Sequence, residues 1–595
     1  MFIKKERKVY KDGPKTFIRI VEGYREDGKV KQRSIKSYGY LEDQENPEAF
    51  LAMVAEEMKT MGYHRDQDIN MKIKAKDNQL NGENNIRYNY GYKYLESIYD
   101  FLDIDTFLNQ YQSRIESKAE YRLAEIFKFL VFERILSPGS KRSQVQRSPY
   151  YYQKKHQFSL DDVYRSMDLL EPIWKDLQTH MRNRIHSGLI KPSETLYYDV
   201  TNYYCEIDFN DLAEGLRKRG VSKEHRLNPI VGLGLFMDHA GLPLSFQVFP
   251  GNKAETKTLE EGIKIVKEQH HIERIICVAD KGLNSLPNIL KLINQKDGYI
   301  FSQMIRGPKG KRFTEPLFDD SGWINKYDEQ GELVYRYKTY LDCVKLENGI
   351  EHEQRILLYW SLEEATMQKR KREEQLSRAK QSLNNNAYQI DHSFRKYIKK
   401  DTTEKATLSI NYDLVAEEEK YDGFFCLVTS EVHLTPQEMR TTYANLWEIE
   451  DSFRVTKTNL EFRPIYHYKQ SHIISHFVIC FTSLLILRLF QYKLKQSGIS
   501  LSAERIIQVL NRMNVEKTTT DIYHLDSISG SKAYQALLQD KKPIVYTNRF
   551  SDEDQVAHDL KLIYLAFNVD MNLAYVKVEH FNRYLKMIRF HTTSA

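Results

Sequence analysis

A chain of 595 residues is too long for one ordinary core and implies about three to five folding units. Apolar residues make up 41% and charged residues 29%, a balance that excludes a disordered or fibrous chain. The net charge of +6 is modest for this length, so where the charge sits carries more than its sum. The opening MFIKKERKVYKDG lacks the apolar stretch of a secretory signal. Residues 1–40 hold twelve Lys or Arg against five Asp or Glu, the kind of patch that attracts phosphate backbones. Their alternation around Asp12-Gly13-Pro14 and Glu26-Asp27-Gly28 predicts short antiparallel strands and hairpins. A helix over 47–62 and a polar, Asn-rich linker over 76–88 follow.

From about 90 to 190 the period is helical. LAEIFKFLVFERIL (123–136) stops at Ser137-Pro138-Gly139, and Ser159 with Asp162 has capping-box spacing. From 194 the pattern changes. TLYYDVT, PIVGLGLFMD and LPLSFQVF are three β-rich runs, followed by a helix near 256–269, the strand RIICVAD, a helix near 285–294 and the strand YIFSQMI. That succession is an α/β layer pattern. Residues 306–420 are more polar and read as an insertion, with strand candidates VYRYKTYLDCVKL and QRILLYW followed by a charged helix that Ser361 and Glu364 could cap and that holds a basic KRKR at 369–372. GFFCLVTS (423–430) returns to a buried strand. A long helix from about 435 to 456 and an apolar one from about 472 to 495 follow, and the tail, 500–595, reads as mostly helical.

Several chemistries fall away. The five cysteines form no CxxC pair, which argues against a zinc or disulfide framework and fits buried thiols in a reducing compartment. The apolar run Phe477 to Phe490 is interrupted by Arg488 and is short for a membrane span. His472 and His476 stand four apart without an HExxH context, and Gly232 and Gly234 form only part of a dinucleotide fingerprint. Forty tyrosines raise a tyrosine recombinase, but no clustered Arg/His/Arg set accompanies them.

Three carboxylates stand out. Asp199 lies inside the aromatic strand Leu196-Tyr197-Tyr198-Asp199-Val200, where an ionised group is costly unless paired or metal-bound. Asp280 ends the strand IICVAD and precedes Lys281-Gly282, at the carboxyl end where open α/β sheets bind ligands. Either alone is more often a turn or cap residue. A third comes from Glu448, Glu450 and Asp451. Tyr443, Glu450, Arg454, Lys457 and Glu461 recur at helical steps of 7, 4, 3 and 4, so the periodicity puts Glu450 on a face with a hydroxyl and two cations. Such a stripe could hold metal with Glu450 and phosphates with Arg454 and Lys457, although an exposed helix with ordinary ion pairs has the same spacing.

The stretch YANLWEIEDSFRVTK resembles the Y-x2-R-x3-E-x6-K signature of the insertion-sequence-four superfamily of DDE transposases, with Tyr443, Glu450 and Lys457 in place and Leu446 where the signature has Arg. DVTNYYCE, GVSKEHR, GLPLSFQVFPGNKAETKTL and VADKGLNS resemble blocks of the insertion-sequence 1634 group. Eighty residues lie between Asp199 and Asp280, and 169 between Asp280 and Glu450. The resemblance implies a ribonuclease-H-like α/β core interrupted by a mostly β insertion domain, with N-terminal β-hairpin and helical domains and a helical C-terminal tail. It divides the chain into a basic N-terminal region and linker (1–89), a helical DNA-binding domain (90–190), core first part (191–305), insertion (306–420), core second part (421–495) and C-terminal region (496–595).

It also implies catalytic, metal-binding Asp199, Asp280 and Glu450 with two Mg²⁺ or Mn²⁺ ions, and phosphate contacts from Tyr443, Arg454, Lys457 and Lys281, with Asn252 a weaker candidate for the rim. The implied partners are double-stranded DNA, as terminal inverted repeats and as target, in a homodimeric synaptic complex with no membrane. The implied setting is the bacterial cytoplasm and nucleoid. In relatives an aromatic residue stacks on a flipped base, and Tyr198, Tyr203 and Trp447 are candidates here. Two other readings stay open: a non-catalytic DNA-binding repressor derived from such an enzyme, and a nuclease that cuts without strand transfer.

Overall fold

The computed structural model describes residues 2–10, 13–26, 29–44, 47, 50–51, 53–54, 86–115, 119–147, 151–152, 157–212, 214–224, 226–345, 349, 351–384, 394–400, 408–519, 522–526, 528, 530–531, 551–569, 571 and 573–590. The chain forms two compact units, Met1–Val163 with Leu489–Ala595, and Tyr164–Arg488.

In the first unit, β1 (Phe2–Tyr10), β2 (Gly13–Glu26) and β3 (Lys29–Tyr40) make the antiparallel sheet that the alternation predicted. Ile3 pairs with Ile20 and Lys4 with Arg19, so one face carries apolar side chains onto Val54 and the next step along presents cations. The turn residues Asp12, Asp27 and Gly28, most of the 47–62 helix and most of the 76–88 linker lie outside the described residues. After β4 (Arg87–Asn89) come helices Tyr92–Phe101, Ile104–Arg114 and Leu123–Leu136. The last is apolar all round and buries 12 of its 14 residues, as a central helix does. The predicted reciprocal cap is present: Ser159 N–H donates to Asp162 at 2.8 Å, and Asp162 N–H donates to Ser159 Oγ at 3.2 Å.

The second unit is built on β5 (Thr195–Tyr204), β6 (Ile230–Met237), β7 (Pro243–Pro250), β8 (Ile276–Ala279), β9 (Gly298–Gln303), β10 (Ile324–Tyr327), β11 (Leu333–Lys345), β12 (Glu351–Ser361) and β15 (Phe424–Thr429), with β13 (Ile398–Lys400) and β14 (Leu408–Ile410) pairing separately. The nine-stranded sheet runs β10-β11-β12-β15-β9-β8-β5-β6-β7. Strands β5, β6 and β7 form an antiparallel meander, and β8 and β9 join parallel through helices Glu255–His270 and Leu286–Asn294, as the sequence predicted. Alternate strand residues face opposite layers. Tyr198, Val200, Phe236, Ile356 and Val428 belong to one core with Leu259, Ile263 and Val266 of the Glu255–His270 helix, whereas Leu357 and Leu427 pack with Met439 in another.

Two expectations are corrected here. Residues 306–420 are not mostly β. They carry helices Gly307–Phe318, Leu362–Asn384 and Tyr412–Glu419, and β10, β11 and β12 extend the central sheet through β15 instead of forming a sheet of their own. The helix expected over 435–456 is two, Pro436–Ala444 and Trp447–Thr458, broken at Asn445-Leu446, where Leu446 is buried. The tail is mostly helical among the described residues, as expected, with helices Ala503–Arg512, Asp552–Phe567 and Val578–Met587, and it also carries the short strands β16 (Asn514–Thr519), β17 (Ile522–Leu525) and β18 (Tyr575–Lys577), paired in the order β18-β17-β16-β4.

The apolar run lies in the 27-residue helix Gln470–Gln496, long and apolar enough by composition to cross a membrane, but its most apolar window is wholly buried within the fold. The basic KRKR lies on the Leu362–Asn384 helix, where Ser361 Oγ accepts from Glu364 N–H at 3.3 Å and Arg372 is buried against Asp422 at 2.7 Å. Four cysteines are buried, Cys343 is exposed, and none is in a disulfide.

Candidate active site

The site grows from the pleat of β5. Tyr198 and Val200 point into the core, so Tyr197, Asp199, Thr201 and Tyr203 point the other way. That row meets the two short helices that replace the long one. Tyr197 Oη donates to Thr442 O at 2.9 Å, Lys457 Nζ donates to Thr201 Oγ1 at 2.6 Å, and Tyr203 Oη lies 2.7 Å from Thr456 Oγ1. Asp199 sits in the middle of this row, under the helix pair that carries Glu450.

Asp280 arrives from the neighbouring strand. β5 and β8 are parallel, with Tyr197 opposite Val278, so Asp199 and Asp280 follow this pair by the same number of residues, Asp199 in the middle of β5 and Asp280 just past the carboxyl end of β8. Asp280 Oδ1 accepts from Ser302 Oγ at 2.8 Å and from Tyr443 Oη at 3.3 Å. Glu450 is exposed on the Trp447–Thr458 helix.

The electrostatics tie the three together. Burial pushes the Asp199 carboxyl up to about 6; Lys223 opposes this, and Glu255 and Asp280 add to it. Burial and the nearby Asp280 raise Glu450 as well. Burial, then Asp280, raises the Tyr443 phenol, which stays a hydrogen-bond donor. Lys457 is pulled down by burial and by Lys223, with Asp199 acting in the opposite sense. Mutually repelling carboxylates suit a hard divalent cation with oxygen ligands. Among the described residues, however, no three Asp, Glu, His or Cys groups already stand together as a metal-binding set, so an ion would require side-chain rearrangement.

The remaining predicted residues separate. Tyr443 is on the first short helix, not on one continuous face with Glu450, yet it reaches Asp280. Arg454 pairs with Asp451, at 3.0 and 2.6 Å, in an exposed i,i+3 ion pair, and Asp451 also takes Arg488 at 2.8 Å. Glu461 lies beyond the helix with φ 43°. Lys281 is exposed and lines a cavity of about 580 Å³ beside Asp280, together with Ser302, Arg306, Arg440 and Tyr443. Asn252 is exposed in the turn after β7. Of the aromatics, Tyr198 and Tyr203 are fully buried and Trp447 is 56% exposed, which leaves Trp447 alone of the three open to a ligand. His476 Nε2 lies 3.0 Å from Phe462 O and His472 pairs with Asp168. Sequence reasoning missed Lys223, Glu255 and Ser302. The GVSKEHR block held Lys223, but nothing in its spacing showed that it returns to Asp199.

Residues 3–65 match the model of the IS1634 family transposase N-terminal domain, and residues 218–486 match that of the transposase DDE domain. Together they take in more than half of the chain. The chain belongs to the IS1634 family of DDE transposases. The transposase is thus a DNA-cleaving enzyme of a class that works with divalent metal ions. The DDE match begins after β5, so it contains Asp280 and Glu450 but not Asp199. No curated protein matches the transposase. A solved structure, the piggyBac transposase synaptic complex with hairpin DNA, aligns over 80% of this chain and 84% of that one at 10% identity and a TM-score of 0.33, too slight a likeness to compare their sites.

Proposed function

We propose that the transposase cuts DNA at the terminal inverted repeats of an insertion sequence and joins the freed ends to target DNA, with Asp199, Asp280 and Glu450 as its metal-binding catalytic carboxylates. The observation that carries this is the pairing of Tyr197 with Val278, which brings two carboxylates to one level, under the helices that bear the third. The strand order β7-β6-β5-β8-β9, three antiparallel and then two parallel, supports a ribonuclease-H-like core for this part of the unit.

Two Mg²⁺ or Mn²⁺ ions, when bound, supply an activated water and stabilise the leaving oxygen. The protein's own groups do the rest. Ser302 and Tyr443 fix the rotamer of Asp280, so its free oxygen is held ready. Lys457 braces the strand beside Asp199 and can turn to a phosphate, and Lys281 lines the cavity where a strand would lie. Arg454 would have to leave Asp451 to take part. Cysteines outside any disulfide, four of the five buried, agree with the bacterial cytoplasm as the setting. A homodimeric synaptic complex would place two such sites on paired ends.

The test is strand cleavage of end-labelled inverted-repeat DNA with Mg²⁺, and joining to a target plasmid in the same reaction. The wild type cleaves and joins, and Asp199→Asn, Asp280→Asn and Glu450→Gln each lose both. Wild-type cleavage by any of the three removes that residue from the assignment. Cleavage without joining identifies a nuclease, and binding without either identifies a repressor.

A further inference from the structure

The segment between β5 and β6, residues 205–229, is docked against the sheet rather than hanging from it. Cys205 N–H donates to Pro229 O at 2.8 Å, Gly251 N–H donates to Leu216 O at 3.1 Å, and Lys218 pairs with Ile230. Gly220 fits only because it lacks a side chain, since a Cβ there would collide with the Gly251 carbonyl. Asn202, three residues after Asp199 on β5, then grips the segment twice. Its Nδ2 donates to Val221 O at 3.2 Å, and its Oδ1 accepts from Lys223 N–H at 3.4 Å. This grip returns Lys223 to the strand it left. Lys223 Nζ donates to Val200 O at 2.6 Å and meets Glu255 at 3.0 Å.

Two ammonium groups therefore flank Asp199: Lys457 from the Trp447–Thr458 helix and Lys223 from the loop. They are close enough for Lys223 to disfavour the charge on Lys457. The Lys223 side chain is 42% exposed and that of Glu255 43%, so the pair is within reach of a ligand from solvent. An exposed Lys–Glu pair is worth little, and its lysine is readily taken by a better anion. A phosphodiester is such an anion, and Lys223 already stands beside the carboxylate where one would react.

We propose that Lys223 is a phosphate-binding residue of the active site, a second ammonium beside Lys457 that leaves Glu255 to hold the DNA strand entering at Asp199. This rests on the reading of Asp199, Asp280 and Glu450 as the cleavage centre. Glu255 is the counter-ion that parks the lysine when no DNA is bound.

The test uses the full-length transposase and a labelled duplex carrying one terminal inverted repeat. Binding is measured across a salt series in EDTA, and cleavage is measured in Mg²⁺. Each phosphate contact contributes about 0.9 to the slope of log K against log salt, so Lys223→Gln should lower the slope by about one and Lys223→Arg should keep it. Cleavage should fall about 10-fold or more in Lys223→Gln and recover in Lys223→Arg. Glu255→Gln should tighten binding, because it removes the competitor for the lysine, whereas a purely structural ion pair predicts that the Lys223 and Glu255 variants lose stability and binding together. A Lys223→Gln variant that keeps the wild-type salt slope overturns the proposal, as does weakened binding in Glu255→Gln. A wild type that neither binds nor cleaves sinks the carboxylate assignment and this proposal with it, whereas an active wild type with an unaffected Lys223→Gln sinks this proposal alone.

Discussion

Asp199 and Asp280 occupy corresponding places on neighbouring parallel strands, each two residues beyond the pair Tyr197 and Val278. Their proximity follows from strand register and so does not depend on a flexible loop. It has an energetic consequence in the metal-free protein, where like charges are held together in a partly buried place.

Asp199→Asn should therefore stabilise the metal-free transposase. The Asp199 carboxyl sits at about 6 in the fold, above its ordinary 3.8, so the charged form is the disfavoured one. Its destabilising effect is full above about pH 6 and disappears as the pH falls below the ordinary value. Holding that charge costs about 1–3 kcal/mol, which corresponds to a rise of about 2–8 °C in Tm for the Asn variant in EDTA at pH 7.5. The gain should shrink toward zero near pH 4. Equal melting of the two proteins at pH 7.5 would show that Asp199 carries no such burden.

Tyr443→Phe and Ser302→Ala should weaken metal use rather than folding. Both hydroxyls end on Asp280 Oδ1, at 3.3 and 2.8 Å, and each restricts which way the carboxylate turns. Loss of a group that orients a ligand typically costs about 10-fold or more in metal affinity. The Mg²⁺ concentration for half-maximal cleavage should rise accordingly, and adding more Mg²⁺ should restore much of the rate. An unchanged Mg²⁺ dependence in both variants would mean that the hydroxyls serve packing alone.

Much of this arrangement is legible in the sequence, and the illegible parts have physical reasons. The strands around Asp199 and Asp280 are short β-rich runs set off by Gly, Pro and Asn turns, so local pattern finds them. The break at Asn445-Leu446 is hidden because YANLWEIE contains neither Gly nor Pro and the apolar period runs straight through it. That break separates Tyr443 from the Glu450 face and buries Leu446, which is why the residue that departs from the signature is accommodated as core. The Asp451 partner of Arg454 is not legible, because spacing cannot say which of several partners a guanidinium takes. Lys223 was invisible for another reason: its return to Asp199 depends on Asn202 and Gly220 docking a long loop, a set of long-range contacts that no local period records.

Arg488 and Arg454 share Asp451 but should differ sharply in worth. Arg488 is 5% exposed and donates to Ser452 Oγ at 2.8 and 3.1 Å as well as to Asp451. Its replacement by Met leaves Asp451 half-buried with only one cation, and breaking such a pair costs about 3–5 kcal/mol. Arg454 lies at the surface, and its i,i+3 pair is worth about 0.5 kcal/mol or less. Urea unfolding should show a large loss of stability for Arg488→Met and almost none for Arg454→Gln. Similar losses for both would contradict the buried role assigned to Arg488.

The packing of His270 should make the transposase acid-sensitive above the range where ordinary, unshifted carboxylates titrate. His270 is 4% exposed, with its Nδ1 3.5 Å from Thr179 Oγ1 and the Arg182 guanidinium donating to its carbonyl. Burial, then Arg182, His186 and His271, holds its imidazole down to about 3, and burial with Arg182 and His239 holds His186 down to about 4. Both folded values lie below the ordinary 6.5, so between these limits the unfolded chain binds the extra protons. The stability these residues confer is complete above about pH 6.5 and is lost as the pH falls from there toward 3 or 4. For His270 the loss approaches about 1–2 kcal/mol between pH 6.5 and 5. Thermal melts across that range should show Tm falling for the wild type and falling less steeply for His270→Gln, which has no proton to take up. Parallel curves for the two proteins would place the acid sensitivity elsewhere.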